Sequence, residues 1–145
     1  MPLILDHVGI ARLIPHRGAM CLLHEVLEAD EEQIRCRAVN HRDIAHPLRD
    51  GAGLPAICGI EYAAQAMAVH GALKTGSASS SGVLAALRDV ILHVERLDEL
   101  EEDIVVVARR LLDQDGRLLY DFGLRAGAQE LVRGRATVFL KRIPK

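Results

Sequence analysis

The sequence predicts an α+β domain in which a curved antiparallel sheet wraps around one long buried helix. The first observation is an almost uncharged segment, residues 51–73, whose single acidic or basic side chain is Glu61. The second is a set of strand-like segments on both sides of it, joined by short turns. An apolar helix in a water-soluble protein has to be buried, and a strongly twisted sheet curling around it would bury it from most directions.

The composition indicates one globular domain over residues 1–145. Hydrophobic residues make up 50% and charged residues 26% of the chain, which is enough for a sizeable core. The net charge is −2 and aromatic residues are 3%, so we expect no nucleic-acid partner. The longest apolar segment carries Glu61, Gln65 and His70, which are costly in lipid, so we expect no membrane span.

The three cysteines, Cys21, Cys36 and Cys58, have no C-x-x-C spacing. This pattern indicates neither a disulfide framework nor a metal site, and we expect no metal and no cofactor. Reduced thiols are typical of cytoplasmic proteins, and the N-terminus has no basic segment followed by a long apolar one. We therefore predict a cytoplasmic location without a signal peptide.

The first half of the chain predicts short elements around a long loop. Residues 9–14 are expected to form a short helix that ends at Pro15. Residues 20–30 and 31–40 are expected to form an antiparallel hairpin, because apolar and polar side chains alternate in the second segment. Proline and glycine make residues 41–54 a loop.

The second half predicts the helix and the rest of the sheet. Pro55 suits the first turn of a helix that continues to about Leu73. Residues 74–82 are expected to be a flexible loop, and residues 95–103 a solvated acidic turn. The remaining segments are predicted antiparallel strands: 83–95, 103–113, 117–126 and 130–143.

Glu61 is the first candidate for a functional group. A carboxylate on an uncharged helix is costly unless it is paired, hydrogen-bonded or used in chemistry. On the residues alone, a buried acid that bonds to backbone or to an arginine such as Arg88 explains it equally well. Gln65 lies one helical turn further on and shares its face.

Three blocks of the sequence resemble the hotdog-fold 3-hydroxyacyl-[acyl carrier protein] dehydratases of fatty acid synthesis. They are LIPHRGAMCLLHEV, LPAICGIEYAAQAMA and ELVRGRATVFL, and they occur in the family's order. In the second block Pro55, Glu61, Ala64 and Gln65 match the family pattern P-G-V-L-x-x-E-A-x-A-Q. The preceding residues, RDGAGLP, are similar to a divergent branch associated with aryl polyene synthesis.

The resemblance implies a catalytic pair and its helpers. His46 would be the base that removes the C2 proton of the substrate, and Glu61 the acid that protonates the leaving hydroxyl. Backbone N–H groups at Ala56 and Ile57 would bind the thioester oxygen, and Gln65 would orient the Glu61 carboxyl group. Two departures are that His46 precedes Glu61 by fifteen residues where the family has fourteen, and that Ala56 replaces a glycine.

Other histidines have weaker roles in this resemblance. His41 is the alternative base, since the loop that contains it could fold back toward the same space. His16, in the PHRG segment, is implied to hold the N-terminal segment in place.

The resemblance also implies partners. Such enzymes are dimers in which the histidine of one subunit faces the acid of the other, so we expect a homodimer or a heterodimer with another hotdog subunit. The substrate would arrive on the phosphopantetheine arm of an acyl carrier protein, with Arg49, Arg88 and Arg96 as candidate contacts. Two alternatives stay open: a non-catalytic helper subunit of a hetero-oligomeric dehydratase, and an acyl-thioester hydrolase in which the carboxylate activates water.

Overall fold

The computed structural model describes residues 4–14, 18–75 and 80–142. His16 therefore lies outside the described residues. Short 3₁₀ turns occur at Gly18–Met20, Asn40–Arg42 and Ala56–Cys58. The helices and strands are α1 (His7–Leu13), β1 (Glu25–Ala29), β2 (Gln33–Ala38), α2 (Gly59–Thr75), β3 (Ser80–Leu92), β4 (Ile104–Gln114), β5 (Arg117–Ala126) and β6 (Gln129–Arg142).

The six strands form one antiparallel sheet in the order β1-β2-β4-β5-β6-β3. The predicted hairpin of β1 and β2 is confirmed. So is the hairpin of β4 and β5, whose turn residues Asp115 and Gly116 have φ angles of 53° and 80°. A two-residue Asp-Gly turn with positive φ at both positions suits the right-handed twist of the paired strands.

Helix α2 packs across one face of this sheet. Tyr62, Ala66 and Val69 are fully buried on the side of the helix that faces the core. Close packing is built into the first turn, because a Cβ at Gly59 would lie only 3.1 Å from the side chains of Leu124 and Val132. The predicted α+β class is therefore confirmed, with one long helix on one antiparallel sheet.

Several predicted boundaries differ from the observed ones. Strand β1, predicted from residue 20, begins at Glu25. Helix α1 begins at His7, two residues early, because the Asp6 side chain accepts a hydrogen bond from the Gly9 N–H at 2.8 Å and caps it. Helix α2 continues to Thr75 and β3 begins at Ser80, so the predicted loop over residues 74–82 is wrong at both of its ends. Residues 76–79 lie outside the described residues.

The two edges of the sheet differ. Beside β1, the backbone of residues 4 and 5 bonds to Val26 at 3.1 and 2.9 Å, which partly covers a strand of only five residues. The other edge, β3, is thirteen residues long, and among the described strands it pairs with β6 alone. We call its exposed apolar side chains the β3 edge: Val83, Leu84, Leu87, Ile91 and Leu92, each between 39% and 44% exposed.

Candidate active site

The start of helix α2 is fixed by a short pairing with the chain that follows β3. The Leu97 N–H donates to the Leu54 carbonyl oxygen at 2.8 Å, and the Ala56 N–H donates to the Glu95 carbonyl oxygen at 2.9 Å. These two bonds flank Pro55 and hold it at the entrance of the 3₁₀ turn. The loop and the helix start therefore form one unit with residues 95–97.

The carboxylate of Asp98 also stabilises this unit. It accepts the Leu54 N–H at 2.8 Å and pairs with Arg96 at 2.5 Å, while a guanidinium nitrogen of Arg49 lies 3.6 Å away. The Arg96 guanidinium beside it holds the pKa of Asp98 well below its usual range. The Asp98 side chain is only 5% exposed, so the prediction of a solvated acidic turn is wrong at this residue.

Gly53 is required by the same ion pair. Its φ is 119°, a backbone conformation that residues with a side chain rarely adopt. A Cβ at this position would lie 2.5 Å from an Arg96 nitrogen and 2.6 Å from the Asp98 oxygens. The loop thus passes the Arg96–Asp98 pair at a distance that only glycine allows.

Glu61 lies in the first turn of helix α2 and is partly exposed. It shares one side of the helix with Ile57, Ala64 and Ala68, and we call these four residues the open stripe. Ile57 is 52% exposed, Ala68 is also exposed, and Glu61 and Ala64 are partly exposed, so the described residues cover this side of the helix only in part. The prediction of a helix buried from most directions holds except along this stripe, where Glu61 is the ionisable group.

The loop that contains His46 is attached to the start of the same helix. The Cys58 thiol donates to the Leu48 carbonyl oxygen at 3.9 Å. The His46 side chain is only 5% exposed, and its Nε2 lies 2.8 Å from the Tyr62 hydroxyl oxygen. Its Nδ1 accepts the Leu48 N–H at 3.1 Å, and the Tyr62 hydroxyl donates onward to Oδ1 of Asn40 at 2.8 Å.

These contacts determine which nitrogen of the neutral His46 imidazole carries the hydrogen. A backbone N–H only donates, so Nδ1 of His46 holds the lone pair and Nε2 carries the proton that is donated to Tyr62. Burial lowers the pKa of His46, and the charge of Asp43 opposes that shift. The ring is therefore neutral near pH 7.

His41, the alternative base, is fully buried in the 3₁₀ turn before the loop. Its Nε2 donates to the Leu100 carbonyl oxygen at 3.0 Å, and burial lowers its pKa. Its Nδ1 is buried and has no hydrogen-bond partner among the described residues. Neither His41 nor His46 points into solvent.

Gln65 joins helix α2 to the N-terminal segment. Its Oε1 accepts the Leu22 N–H at 2.9 Å, and its Nε2 donates to the Met20 carbonyl oxygen at 2.7 Å. The residue is fully buried, so these bonds satisfy backbone groups that would otherwise be costly. The role of Gln65 in orienting Glu61 stays a prediction.

The two predicted backbone donors differ in their surroundings. The Ala56 N–H already donates to the Glu95 carbonyl oxygen, so its hydrogen is not available to a substrate. The Ile57 N–H has no backbone partner among the residues described, and Ile57 belongs to the open stripe. Of the two, Ile57 is the better placed to bind a thioester oxygen.

The three arginines predicted to contact the carrier protein also differ in their surroundings. Arg49 and Arg96 both pair with Asp98 and support the loop. Arg88 is exposed on β3, directly opposite Arg135 of β6. The three cysteines are free.

Sequence reasoning missed Asn40, Tyr62 and Asp98. The signal for Tyr62 was available, since it follows Glu61 at a position where the dehydratase pattern has alanine. A tyrosine is also unusual on a helix that is rich in alanine and glycine. The bonds from Tyr62 to Asn40 and from Leu54 to Asp98 had no such signal, because each joins residues far apart in the sequence.

The described residues hold no cluster of three or more His, Cys, Asp or Glu side chains that could bind a metal ion. Within the same residues, neither helix combines the length and the apolar character needed to cross a membrane.

Several solved structures share this architecture. A chain of the dehydratase heterocomplex ApeI:P from Xenorhabdus doucetiae superposes with a TM-score of 0.79 and 24% identity, over 94% of this chain and 91% of that chain. Thioesterase superfamily member 2 from zebrafish superposes with a TM-score of 0.67 and 17% sequence identity, over 93% of each chain. A mutant thioesterase from Pseudomonas aeruginosa superposes with a TM-score of 0.59 and 12% sequence identity, over 82% of this chain and 81% of the other.

These likenesses confirm the predicted hotdog arrangement of the sheet around its helix. A search of curated proteins gave no significant match. The sequence profile of the ApeP-like family, described as ApeP dehydratase, matches residues 8–144. The match covers nearly the whole chain, including the loop of His46 and the helix of Glu61, and the chain therefore belongs to the ApeP-like dehydratase family.

Proposed function

We propose that this dehydratase acts on 3-hydroxyacyl chains carried by acyl carrier protein and converts them into trans-2-enoyl thioesters. The observation that carries the proposal is the position of Glu61. It is the ionisable group of the open stripe, and it lies one turn from the helix start where the His46 loop is attached. A carboxyl group lies here in the first turn of the helix, and the loop attached to the same turn carries an imidazole. A carboxyl group, an imidazole and a helix N-terminus are the groups that elimination needs.

In the proposed reaction His46 takes the C2 proton, and the electrons of the broken C–H bond form the C2–C3 double bond. Glu61, protonated, gives its proton to the C3 hydroxyl, which leaves as water. The Ile57 N–H binds the thioester oxygen as negative charge develops on it. The step needs no oxidant or metal, since one proton is removed and one is delivered.

The acid and the base would come from two subunits. We propose that a second hotdog subunit covers both the β3 edge and the open stripe. A long apolar edge strand is a hazard in an isolated chain, and two apolar surfaces left uncovered support an interface. The partner is a second copy or a different hotdog subunit, as in the ApeI:P heterocomplex.

The carrier protein would approach from the surface beside this interface. Acyl carrier proteins are acidic, and Arg88 is exposed on β3 next to Arg135. Arg49 and Arg96 contribute indirectly, through the loop that they and Asp98 hold. The free cysteines support a cytoplasmic location for the reaction.

A helper subunit is the second candidate function. It is favoured by the burial of His46 and by the bonds that both of its ring nitrogens make within the chain. In that case Glu61 serves a site whose base belongs to the partner. Thioester hydrolysis by Glu61 is a third possibility, and the solved thioesterases support only the shared fold.

The test is an assay of the purified chain, alone and with any hotdog subunit that copurifies with it, on carrier-bound 3-hydroxyacyl chains of several lengths. Loss of one water, followed by mass spectrometry, reports dehydration, and release of free acid reports hydrolysis. Glu61→Gln should lower kcat by about 100-fold or more, because a general acid contributes that much. His46→Ala should lower kcat similarly if the base is in this chain.

Glu101→Gln is the matched control, since it makes the same change at an exposed residue outside the site. Turnover that survives in Glu61→Gln contradicts the proposed acid. Turnover that needs a second subunit and survives in His46→Ala assigns this chain the helper role.

A further inference from the structure

A buried line of hydrogen bonds joins the side chains of His46, Tyr62 and Asn40. The Nε2–H of His46 donates to the Tyr62 hydroxyl oxygen at 2.8 Å, and the Tyr62 hydroxyl donates to Oδ1 of Asn40, also at 2.8 Å. Tyr62 is fully buried and His46 nearly so. The three side chains come from α2, the loop and the 3₁₀ turn, so the line exists only in the folded protein.

We propose that Tyr62 and Asn40 are positioning residues that act on the proposed reaction through His46, by holding its imidazole as the Nε2–H tautomer with the lone pair on Nδ1. This inference rests on the proposed function. The Leu48 N–H can only donate, so Nδ1 of His46 accepts and Nε2 carries the proton. The Tyr62 hydroxyl oxygen accepts that proton, and its own hydrogen is donated to Asn40. Reversing one bond would leave two hydrogens between His46 and Tyr62 or none.

The line determines which nitrogen acts as the base. Nδ1 accepts the C2 proton once its hydrogen bond from the Leu48 N–H, at 3.1 Å, has opened. The C2–H bond breaks, an Nδ1–H bond forms, and Nε2 keeps the proton that it donates to Tyr62. The resulting imidazolium is stabilised by the Tyr62 oxygen, whose polarity is increased by Asn40.

The charged neighbours of His46 are few. Asp43 on its own loop favours the protonated ring, and Arg49, further along that loop, disfavours it. His41 from the 3₁₀ turn also disfavours the protonated ring when it is itself charged. From helix α2 the ring receives the neutral hydroxyl of Tyr62. The effect of Tyr62 on the ring is therefore a hydrogen bond and not a charge.

Helix α2 offers a matched control at its other end. Nδ1 of His70 lies 2.7 Å from the Tyr120 hydroxyl, and Nε2 of His70 lies 2.7 Å from the Asp30 carbonyl oxygen. Both tyrosines are fully buried and both bond to a histidine of the same helix or of its loop. Tyr120→Phe thus removes the same hydroxyl group as Tyr62→Phe, from a second buried His–Tyr pair away from the loop of His46.

The experiment combines two readouts on the full chain, with its copurifying partner if it has one. Nitrogen-15 imidazole spectra of the wild type should show His46 as the Nε2–H tautomer. Tyr62→Phe should disturb that tautomer, lower the His46 pKa, move the acid limb of the kcat/KM profile to lower pH, and reduce kcat at least about tenfold with little change in KM. Asn40→Ala should shift both readouts in the same direction by less, and Tyr120→Phe should leave both unchanged.

A Tyr62→Phe variant whose His46 spectrum and pH profile equal those of Tyr120→Phe overturns the inference. So does a kcat that falls equally in the two variants, because the loss is then one of general packing. The proposed function fails in a different way: wild-type spectra show the His46 tautomer and its response to Tyr62→Phe, but no substrate loses water.

Discussion

The two ends of helix α2 each bury a histidine beside a tyrosine, and the two pairs are hydrogen-bonded in opposite directions. At the C-terminal end the Asp30 carbonyl oxygen requires a proton on Nε2 of His70, so in the neutral ring Tyr120 donates to Nδ1. At the N-terminal end the Leu48 N–H requires the lone pair on Nδ1 of His46, so the imidazole donates to its tyrosine.

The difference shows what each pair does. The bonds of His70 join α2 to β5 and to the turn between β1 and β2, and the rings meet edge to face at 80°. That pair connects elements of the fold. The bonds of His46 continue to Asn40 and lie beside the loop, the open stripe and Glu61. That pair belongs to the part of the molecule whose apolar surface is still uncovered.

His70→Ala should produce the largest loss of stability without affecting the chemistry of folded molecules. His70 is buried, and its removal leaves a cavity and deprives the buried Tyr120 hydroxyl of its acceptor. We expect the free energy of unfolding to fall by about 3 kcal/mol, measured by urea denaturation. Activity per folded molecule should equal that of the wild type.

A fall in specific activity that exceeds the unfolded fraction would place the C-terminal pair in the reaction. An unchanged urea midpoint would show that the pair contributes no stability.

Gly53→Ala tests the N-terminal end, where the expected effect is on both stability and activity. A Cβ forces the loop away from the Arg96–Asp98 pair, and φ of 119° is strained for alanine. We expect a loss of about 2 kcal/mol and a lower kcat, because the same unit holds the start of α2. Thermal unfolding and the dehydration assay measure the two effects.

Gly51→Ala is the control on the same loop, since a Cβ at Gly51 meets nothing within 4 Å. Equal behaviour of the two variants would mean that the loop moves freely and that its packing on Asp98 does not support the site.

The sequence was sufficient for those parts of the fold that depend on neighbouring residues. Alternating side chains predicted β2, the Asp115-Gly116 pair predicted the hairpin of β4 and β5, and Pro55 marked the entrance of α2. The end of α2 was placed too early, because a run of small and polar residues after Lys74 resembles a loop. In the structure the helix continues through Lys74 and Thr75, the first residue of that run.

The candidate site was predictable only in part. Glu61 stood out because it is charged on an uncharged segment, and His46 because it begins a His-Pro loop of a known pattern. The partner of His46 is sixteen residues away, and the partner of Tyr62 is twenty-two residues away. No local pattern specifies such pairs, since they depend on how the loop returns to the helix. The burial of Asp98 was missed for the same reason, because two of its partners, Leu54 and Arg49, lie on the loop before helix α2.

The pH dependence of stability gives the smallest expected effect, and it tests the histidine at the N-terminal end of α2. Burial lowers the pKa of His46 in the folded protein, so the unfolded chain binds a proton at a higher pH than the native one does. The contribution of neutral His46 to the free energy of unfolding is fully present above its pKa in the unfolded chain, about 6.5. It is lost as the pH falls below that value toward the pKa of His46 in the folded protein. The slope is at most about 1.4 kcal/mol per pH unit for one imidazole.

His46→Gln removes this titration but keeps an amide that can donate to Tyr62. Between pH 6.5 and 5.5, the free energy of unfolding should therefore fall less steeply in this variant than in the wild type, as measured by urea denaturation at each pH. His41, whose pKa is also lowered by burial, remains in both proteins and cancels in the difference. Equal slopes would show that His46 is protonated in the native state as readily as in the unfolded chain. The line from His46 through Tyr62 to Asn40 would then not keep the ring neutral, and His46 would lose the property that a base near neutral pH requires.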